Sequence, residues 1–465
     1  MVTPVLITDL SISPARFIHS STPTASQNIS PTLVSVTTEN MAATTPKIAI
    51  IGAGPAGLML ASILHHNKIP SVVYERDSSA VARAQGGTLD LHEYSGQQAL
   101  DAAGLLDKFR AVMRQGGDTI RIISKDGTVL FSDSDEPKEE TKEEETGSKF
   151  IKGRPEIDRP VLKDLLIASL PADAIHWGSK VASIAPVLGS KQWTLAFEDG
   201  SRPATFDLVV GADGAWSRTR ALLTGQQPVY SGITALDAWV HNVDETAPDV
   251  SKFVGLGNCF LYGKDRVLLF QRNGQGREAS ARCYACVKTD TPTAPSSAAL
   301  LGLEDEAAEV DWADAQVREV YVERHFGDWY AEAKRMALAM TNEPVLRPLY
   351  MLPVGLTWES RPGVTLVGDS AHLMTPFAGV GVNVAMMDAL ELARGIVDCV
   401  RAGKAGGDGL APMLQQYEKG MFERSGKEAA KTEAAMHLQF REGGAEKMIS
   451  IMQNAGSQPE NVVFE

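Results

Sequence analysis

Apolar and polar positions change period several times along the chain, and each change marks an element. Residues 47–52 read KIAIIG, a continuous apolar run of buried-strand length. From 58 to 66 apolar residues recur at helical spacing, and 71–74 is a second short strand that ends at Glu75. Between the first strand and the helix lies GAGPAG, so the order is strand, glycine turn, helix, strand, acid. A helical pattern built on Leu162, Leu165, Leu166 and Leu170 occupies 159–170, and 194–197 reads as a strand before the Asp199-Gly200 turn. Buried strands recur at 207–211 and 364–368. Residues 218–347 alternate short strand-like runs with turns, then give a helical stretch at 312–340. Long helices are expected at 383–400 and within 411–453, and no internal repeat is seen.

Composition narrows the class. A chain of 465 residues predicts two to three domains. Hydrophobic residues at 44% and charged residues at 22% are ordinary for a soluble globular protein. The formal net charge of −14 argues against general nucleic-acid binding, which needs clustered Lys and Arg. Residues 132–149 are a solvated acidic surface loop by composition, so the rest of the chain is less acidic than the total. No run of eighteen apolar residues occurs, and no transmembrane segment is expected. The first 45 residues are Ser- and Thr-rich, interrupted by Pro4, Pro14, Pro23 and Pro31, and lack the parts of a secretory signal. They are expected to be a disordered tail, with Met41 as a second possible start, and the protein is expected in the cytoplasm. Organellar targeting by the tail is the other possibility.

Four cysteines do not make a disulfide framework. Cys283 and Cys286 form a C-x-x-C, but 281–287 reads as a strand, where residues three apart point to opposite faces. Two structural thiols are expected there. With no second ligand pair, no HExxH and no EF-hand pattern, no metal is implied.

Three segments carry chemistry. In the first, Gly52 permits a tight turn, Gly54 lets backbone approach a pyrophosphate, and Gly57 allows helix to pack on strand, with Pro55 and Ala56 between. The helix N-terminus offers free N–H groups to a diphosphate, and Glu75 is spaced to take a ribose hydroxyl pair. The second segment is LVVGADGAWSRTR, 208–220, and the third VTLVGDSAHLMTPFAGVGVN, 364–383. Each is a strand running into a turn with Asp beside Gly. Alone, Asp213 is a turn former and Asp369 a helix cap. Their order behind a single GxGxxG is the specific signal.

This set resembles the single-component FAD-dependent aromatic monooxygenases of the p-hydroxybenzoate hydroxylase type, over roughly 45–440. YERDSSAVARAQGGTLDLH and GDSAHLMTPFAGVGVN resemble more narrowly the tetracycline-inactivating branch. The resemblance implies an α/β fold: a Rossmann-like FAD-binding domain from 46–99, 146–217 and 348–376, a discontinuous α+β substrate-binding domain from 100–145 and 218–347, and a C-terminal helical region, 377–465. Gly52, Gly54 and Gly57 would hold the FAD diphosphate, Glu75 the adenosine ribose with Arg76 beside it, and Asp369 the ribityl–diphosphate region. Asp90 would lie by the flavin, Arg159 would bond the cofactor, and Pro376, Gly379 and Gly381 would pack on the isoalloxazine. Asp213 matches the motif used for both FAD and NADPH, and Arg83 a position that contacts NADPH. Asp237 and Arg282 fall near substrate positions of that branch, and Trp239 is a further candidate. Two departures are the missing glutamine at Gly379-Val380-Gly381 and Ser370 in place of alanine.

With one GxGxxG, the chain binds one dinucleotide firmly, and NADPH docks transiently, drawn by arginines such as Arg76, Arg83, Arg218 and Arg220. The expected partners are a small aromatic, phenolic or polyketide-like substrate and O2, with oxygen transferred through a flavin C4a-hydroperoxide; the flavin is the reactive group and no obligatory protein base follows. His92 and His372 lie in or beside cofactor motifs, though a lone histidine is more often structural. Pocket candidates in 218–347 are Trp239, Phe260, Tyr262, Phe270, Arg282 and Tyr284. The competing readings are a halogenase or reductase of the same fold, although the W-x-W-x-I-P segment of such halogenases is absent, and a flavoprotein that sequesters its ligand without catalysis.

Overall fold

The computed structural model describes residues 45–82, 86–133, 148–406 and 409–455. The expected N-terminal tail, Arg83 and most of the acidic run therefore lie outside the described residues.

The strand Ile48–Ile51 is buried at all four positions. It is the centre of a five-stranded sheet in the order Val364–Leu366, Leu208–Gly211, Ile48–Ile51, Ser71–Tyr74, Ile175–His176, with every pair parallel. Parallel sheets are covered on both faces, which is why these strands read as unbroken apolar runs. The glycine-turn helix Pro55–His66 and the helix Gly381–Arg401 share one core with Ile48, Ile50, Leu208 and Leu366. Ala49, Tyr74, Val209 and Val364 on the opposite face pack on Trp193, Leu195 and Phe206 of a three-stranded antiparallel sheet.

A second sheet has seven strands in the order Asn342–Met351, Val229–His241, Ser280–Lys288, Arg266–Asn273, Asn258–Gly263, Ile120–Ser124, Val129–Ser132. Only Asn258–Gly263 beside Ile120–Ser124 is a parallel pair. Period-two alternation separates its faces. On one face Leu236, Cys259, Phe270, Cys283 and Ala285 pack against Phe253 and against Tyr321, Phe326 and Met336 of the helices Ala315–Phe326 and Ala331–Leu338. On the other, Ala235, Tyr262, Val267 and Cys286 meet Phe377, Met436, Phe440 and Met448. Cys283 and Cys286 therefore occupy opposite faces, as their spacing predicts, and all four cysteines are free thiols.

The described residues of 377–455 divide between these cores. The helix Gly381–Arg401 belongs with the parallel sheet, whereas Gly444–Ala455 lies against the seven-stranded one. The helix Leu410–Gln439 joins them: Leu414, Tyr417 and Met421 are in the first core, Ala435, Met436 and Leu438 in the other. At 1.5 Å per residue its 30 residues extend about 45 Å. Among the described residues no helix is long and apolar enough to cross a membrane.

Candidate cofactor and substrate site

Four motif residues follow neighbouring parallel strands. Gly52 comes after Ile51, Glu75 after Tyr74, Asp213 just beyond Gly211, and Asp369 just beyond Leu366. Parallel register brings them to one carboxyl edge, where open α/β sheets hold their ligands. Gly52 has φ +108°, and a Cβ there would sit 2.3 Å from the Ala212 carbonyl oxygen. A Cβ on Gly57 would sit 2.2 Å from the Gly52 oxygen. A Cβ on Gly54 would meet nothing within 4 Å, and the same holds at Gly381. Two glycines are thus required for internal packing, while Gly54 and Gly381 open onto free space at the starts of two long helices. First-turn N–H groups have no intrahelical acceptor, so each opening suits an anionic group. This fits a diphosphate-containing dinucleotide.

Glu75 is buried at the tip of its strand. Its Oε2 accepts from the Ala53 N–H at 2.7 Å and its Oε1 from the Asp77 N–H at 2.9 Å, so it also braces the glycine turn. Arg76 next to it is exposed. Asp213 is used by its own turn: it accepts from Ser217 Oγ (2.5 Å), the Arg218 N–H (2.8 Å) and the Thr219 N–H (3.1 Å) and Oγ1 (3.2 Å). Arg220, expected to attract NADPH, is buried and ties three loops through the carbonyls of Ser370 (3.1 Å), Ala215 (2.6 Å) and Gln226 (3.2 Å). Buried on those carbonyls, it is not placed to contact a ligand directly. Arg218 is spread over the carbonyls of Val181 and Ala182 and the Glu198 carboxylate. Asp369 and Pro376 are exposed, as is Arg159 at the start of the helix Arg159–Ile167, where its backbone N–H bonds the Gly87 oxygen at 2.9 Å.

A second group gathers at Gly379, whose φ is +68°. A Cβ there would lie 2.9 Å from Arg154 Nη2 and 3.8 Å from Asp90 Oδ1. Arg154 Nε donates to Asp90 Oδ2 at 2.6 Å, His92 Nε2 lies 3.1 Å from the same oxygen, and Tyr94 Oη is 2.9 Å from His92 Nδ1. Burial alone would raise the Asp90 carboxyl; Arg154 and His92 outweigh it and hold the group well below the usual carboxylate range. Asn383 fastens this loop to the helix Gly381–Arg401. Its Nδ2 donates to the Asp90 carbonyl at 2.8 Å, and its Oδ1 accepts from the His92 N–H at 2.9 Å and Ser95 Oγ at 3.0 Å.

The loop before Asp90 leans on the seven-stranded sheet. A Cβ on Gly86 would strike the Trp239 ring, and one on Gly87 would lie 2.8 Å from Arg282 Nη1. Arg282 forms a two-pronged pair with Asp237 (Nε–Oδ1 2.7 Å, Nη2–Oδ2 2.6 Å) and lies over the rings of Trp239 at 4.5 Å and Tyr284 at 4.3 Å. Arg347 also donates to Asp237. Asp237, Trp239 and Arg282 therefore sit together, but their charges are satisfied by one another. Register places Phe260, Leu269, Tyr284 and Asp237 on one line across the sheet, with Cys259, Phe270 and Cys283 on the line facing the other way. Phe270 thus leaves the set of pocket candidates: it packs on Phe253, ring centres 5.3 Å apart. Phe260 and Tyr284 stay in the set, packed against the core that contains Phe377, and burial pushes the Tyr284 phenol up to about 12.

Sequence reasoning missed the polar seam between the sheets. Strand Thr88–Asp90 pairs with Glu156–Asp158. Glu156 is bonded by Arg114, Thr88 Oγ1 (2.7 Å) and Asn258 Nδ2 (3.0 Å), and Arg114 reaches on to the Leu256 carbonyl at 2.7 Å. Burial pushes the Glu156 carboxyl up to about 7 against the pull of Arg114. No local pattern announces these partners, which are up to 142 residues apart. Asn383 and Asp388 had a signal: polar residues inside the apolar run GVNVAMMDALELA. A cavity of about 350 Å³ lined by Lys191, Gln192, Asp207 and Gly363 lies at the amino edge of the parallel sheet, opposite the carboxyl edge that carries Gly52, Glu75, Asp213 and Asp369.

Comparison with known proteins agrees with this geometry. The family model described as FAD binding domain matches residues 45–298 and 358–420. Monooxygenase penA of Penicillium thymicola is 32% identical over 444 residues, covering 88% of this chain and 98% of the relative. Monooxygenase asqM of Emericella nidulans is 34% identical over 384 residues, 75% of this chain and 83% of the relative. The crystal structure of tetracycline destructase Tet(51) superimposes with TM-score 0.60 at 18% identity, covering 90% of this chain and 98% of that one, which supports the fold. The three ordered motifs, the carboxyl-edge cradle and these matches place the chain in the FAD-binding-domain family, as an FAD-dependent monooxygenase of the aromatic hydroxylase type.

Proposed function

We propose that this monooxygenase uses NADPH and O2 to place one oxygen atom on a small aromatic, phenolic or polyketide-like substrate, the second oxygen leaving as water. The observation that carries the reading is the meeting of two surfaces at residues 376–379. Gly379 lies against Arg154 and Asp90 and is followed by the open Gly381 at the start of a helix of the parallel-sheet core, while Phe377 and Ala378 share a core with the Phe260, Leu269 and Tyr284 face of the seven-stranded sheet. Bound FAD supplies the hydride acceptance and oxygen activation that side chains lack. The chain contributes binding and shape. Gly54 and Gly381 leave room for the cofactor, Glu75 takes the adenosine ribose, and Asp369 holds the ribityl–diphosphate region. Asp90, fixed by Arg154, His92 and Asn383, sets the wall beside Gly379. Arg159 is exposed and available to the cofactor, and Arg76 to NADPH. The self-satisfied Asp237–Arg282–Arg347 group supports a substrate recognised by shape and stacking more than by charge.

The test is anaerobic reduction of the bound flavin by NADPH, with and without phenols, polyketide aromatics and tetracyclines, followed by admission of O2 and mass analysis of the ligand. The expected result is faster bleaching with one ligand class and one added oxygen in it. Flavin that NADPH never bleaches with any ligand removes the NADPH-driven reading and favours a halogenase-like or sequestering flavoprotein. Bleaching with no oxygenated product favours a reductase.

A further inference from the structure

Asp388, on the helix Gly381–Arg401, is fully buried. A buried carboxylate is tolerated only where donors surround it. Its three donors come from two segments. Oδ2 accepts the Gly368 N–H at 3.0 Å and lies 2.5 Å from His372 Nε2, and Oδ1 accepts from Arg424 Nη2 at 2.8 Å. Gly368 and His372 bracket the four-residue helix that begins with Asp369, so one carboxylate grips both ends of the turn that presents Asp369. Gly368 has φ +63°, and a Cβ there would lie 3.2 Å from both Ala56 and Ala385 Cβ, so the turn is wedged between the starts of the two long helices. Arg424, on Leu410–Gln439, also bonds Glu391 at 2.6 Å and so anchors the grip to that helix.

We propose that Asp388 is a positioning residue for the cofactor: through Gly368 and His372 it sets the place of Asp369, and Arg424 locks that setting to the long helix. The inference rests on Asp369 holding FAD. A plain buried ion cluster would serve stability alone; this one spends two of its bonds on the ends of the cofactor turn. His372 carries a secondary signature. Burial pulls its ring pKa down, but Asp388 and then Asp369 outweigh that and raise it. Around this cluster stand Asp369 on its own short helix, Asp388 and Glu391 on Gly381–Arg401, and Arg424, Tyr417 and Glu418 on the long helix. The 352–356 side offers only Leu352, Pro353, Gly355 and Leu356.

The experiment measures FAD dissociation from the purified holoprotein by the return of free-flavin fluorescence, beside thermal unfolding of the same samples. Asp388→Asn removes one charge-assisted acceptor set and is expected to weaken FAD binding about ten- to hundredfold. His372→Gln keeps Asp388 and the fold, and covers the case in which Asp388→Asn does not fold. It is expected to weaken FAD and to abolish a loss of affinity that the parent shows as pH rises through the His372 titration. If the folded variants keep FAD affinity within about twofold of the parent, the cluster is structural only and the proposal fails. Asp369→Ala separates the two levels. Unchanged FAD affinity there overturns the role of Asp369 and the clamp with it. Weakened affinity there, with His372→Gln and Asp388→Asn unchanged, overturns the clamp alone.

Discussion

In the function proposed above, the parallel sheet and the seven-stranded sheet would hold a flat ligand in opposite ways. At the parallel sheet the open space is made by missing side chains: Gly54 and Gly381 face it, while Gly52 and Gly57 let the backbone approach within a distance that any Cβ would close. At the seven-stranded sheet the wall is made of side chains, Phe260, Leu269 and Tyr284 in one register line, with Phe270 one residue away serving a different core. A backbone-built site tolerates few sequences and leaves a spaced motif. A side-chain-built site needs only alternation and suitable size, and leaves none.

The strongest way to break this contrast is the pair Phe270→Ala and Phe260→Ala. The first opens a cavity in a closed core and is expected to cost about 3–5 kcal/mol in denaturant unfolding, with substrate KM unchanged in whatever protein folds. The second faces the proposed pocket and is expected to cost about 1–2 kcal/mol while raising KM. Equal stability losses with equal KM would mean that the two faces are not divided as the register says. Next comes Arg282→Met, which leaves the buried Asp237 carboxylate with Arg347 alone. A loss of about 3 kcal/mol is expected by thermal or urea unfolding, with FAD retained at purification. A smaller effect is expected from the glycines. Gly57→Ala forces a Cβ against the Gly52 oxygen and should cost about 1–3 kcal/mol together with bound flavin. Gly54→Ala meets no protein atom, so it should unfold at the temperature of the FAD-free parent yet lose flavin absorbance. The smallest is His372. Because its pKa is raised in the folded protein, its contribution is fully present below about pH 6.5, the ordinary histidine value, and is lost as pH rises through the folded value. The gap in unfolding temperature between the parent and His372→Gln should therefore shrink with rising pH; a gap that grows would reverse the sign.

The same contrast explains what could be read in advance. Strands at 47–52, 71–74, 207–211 and 364–368 were legible because a doubly covered parallel strand is an apolar run, and the turn between the first two carries its own glycines. Asp213 was legible as a turn former, and its carboxylate accepts from four donors within six residues of it. Arg220 illustrates the opposite error: an arginine in a cofactor motif suggested attraction of an anion, yet the chain folds it inward onto three carbonyls. Arg154, Arg114, Glu156 and Arg347 were invisible because their partners come from distant strands, and pairing across a sheet of mixed order has no local spacing. Asp388 was visible in principle. An acid inside VAMMDALEL on a helix face that is otherwise buried calls for a partner, and Arg424 and His372 supply it.

Cys283 and Cys286 give the molecule two internal clocks. Burial pushes both thiols up, Cys286 to about 12, so neither reacts at neutral pH until its own cover lifts. The cover over Cys283 includes Phe326 and Met336; that over Cys286 includes Met436, Phe440 and Met448. Labelling rates at two sulfurs three residues apart on one strand therefore time the opening of two different layers. If ligands enter by a swing of the 435–451 segment, Cys286 will be modified at a rate set by that excursion, and Cys283, under the other layer, at a rate independent of it.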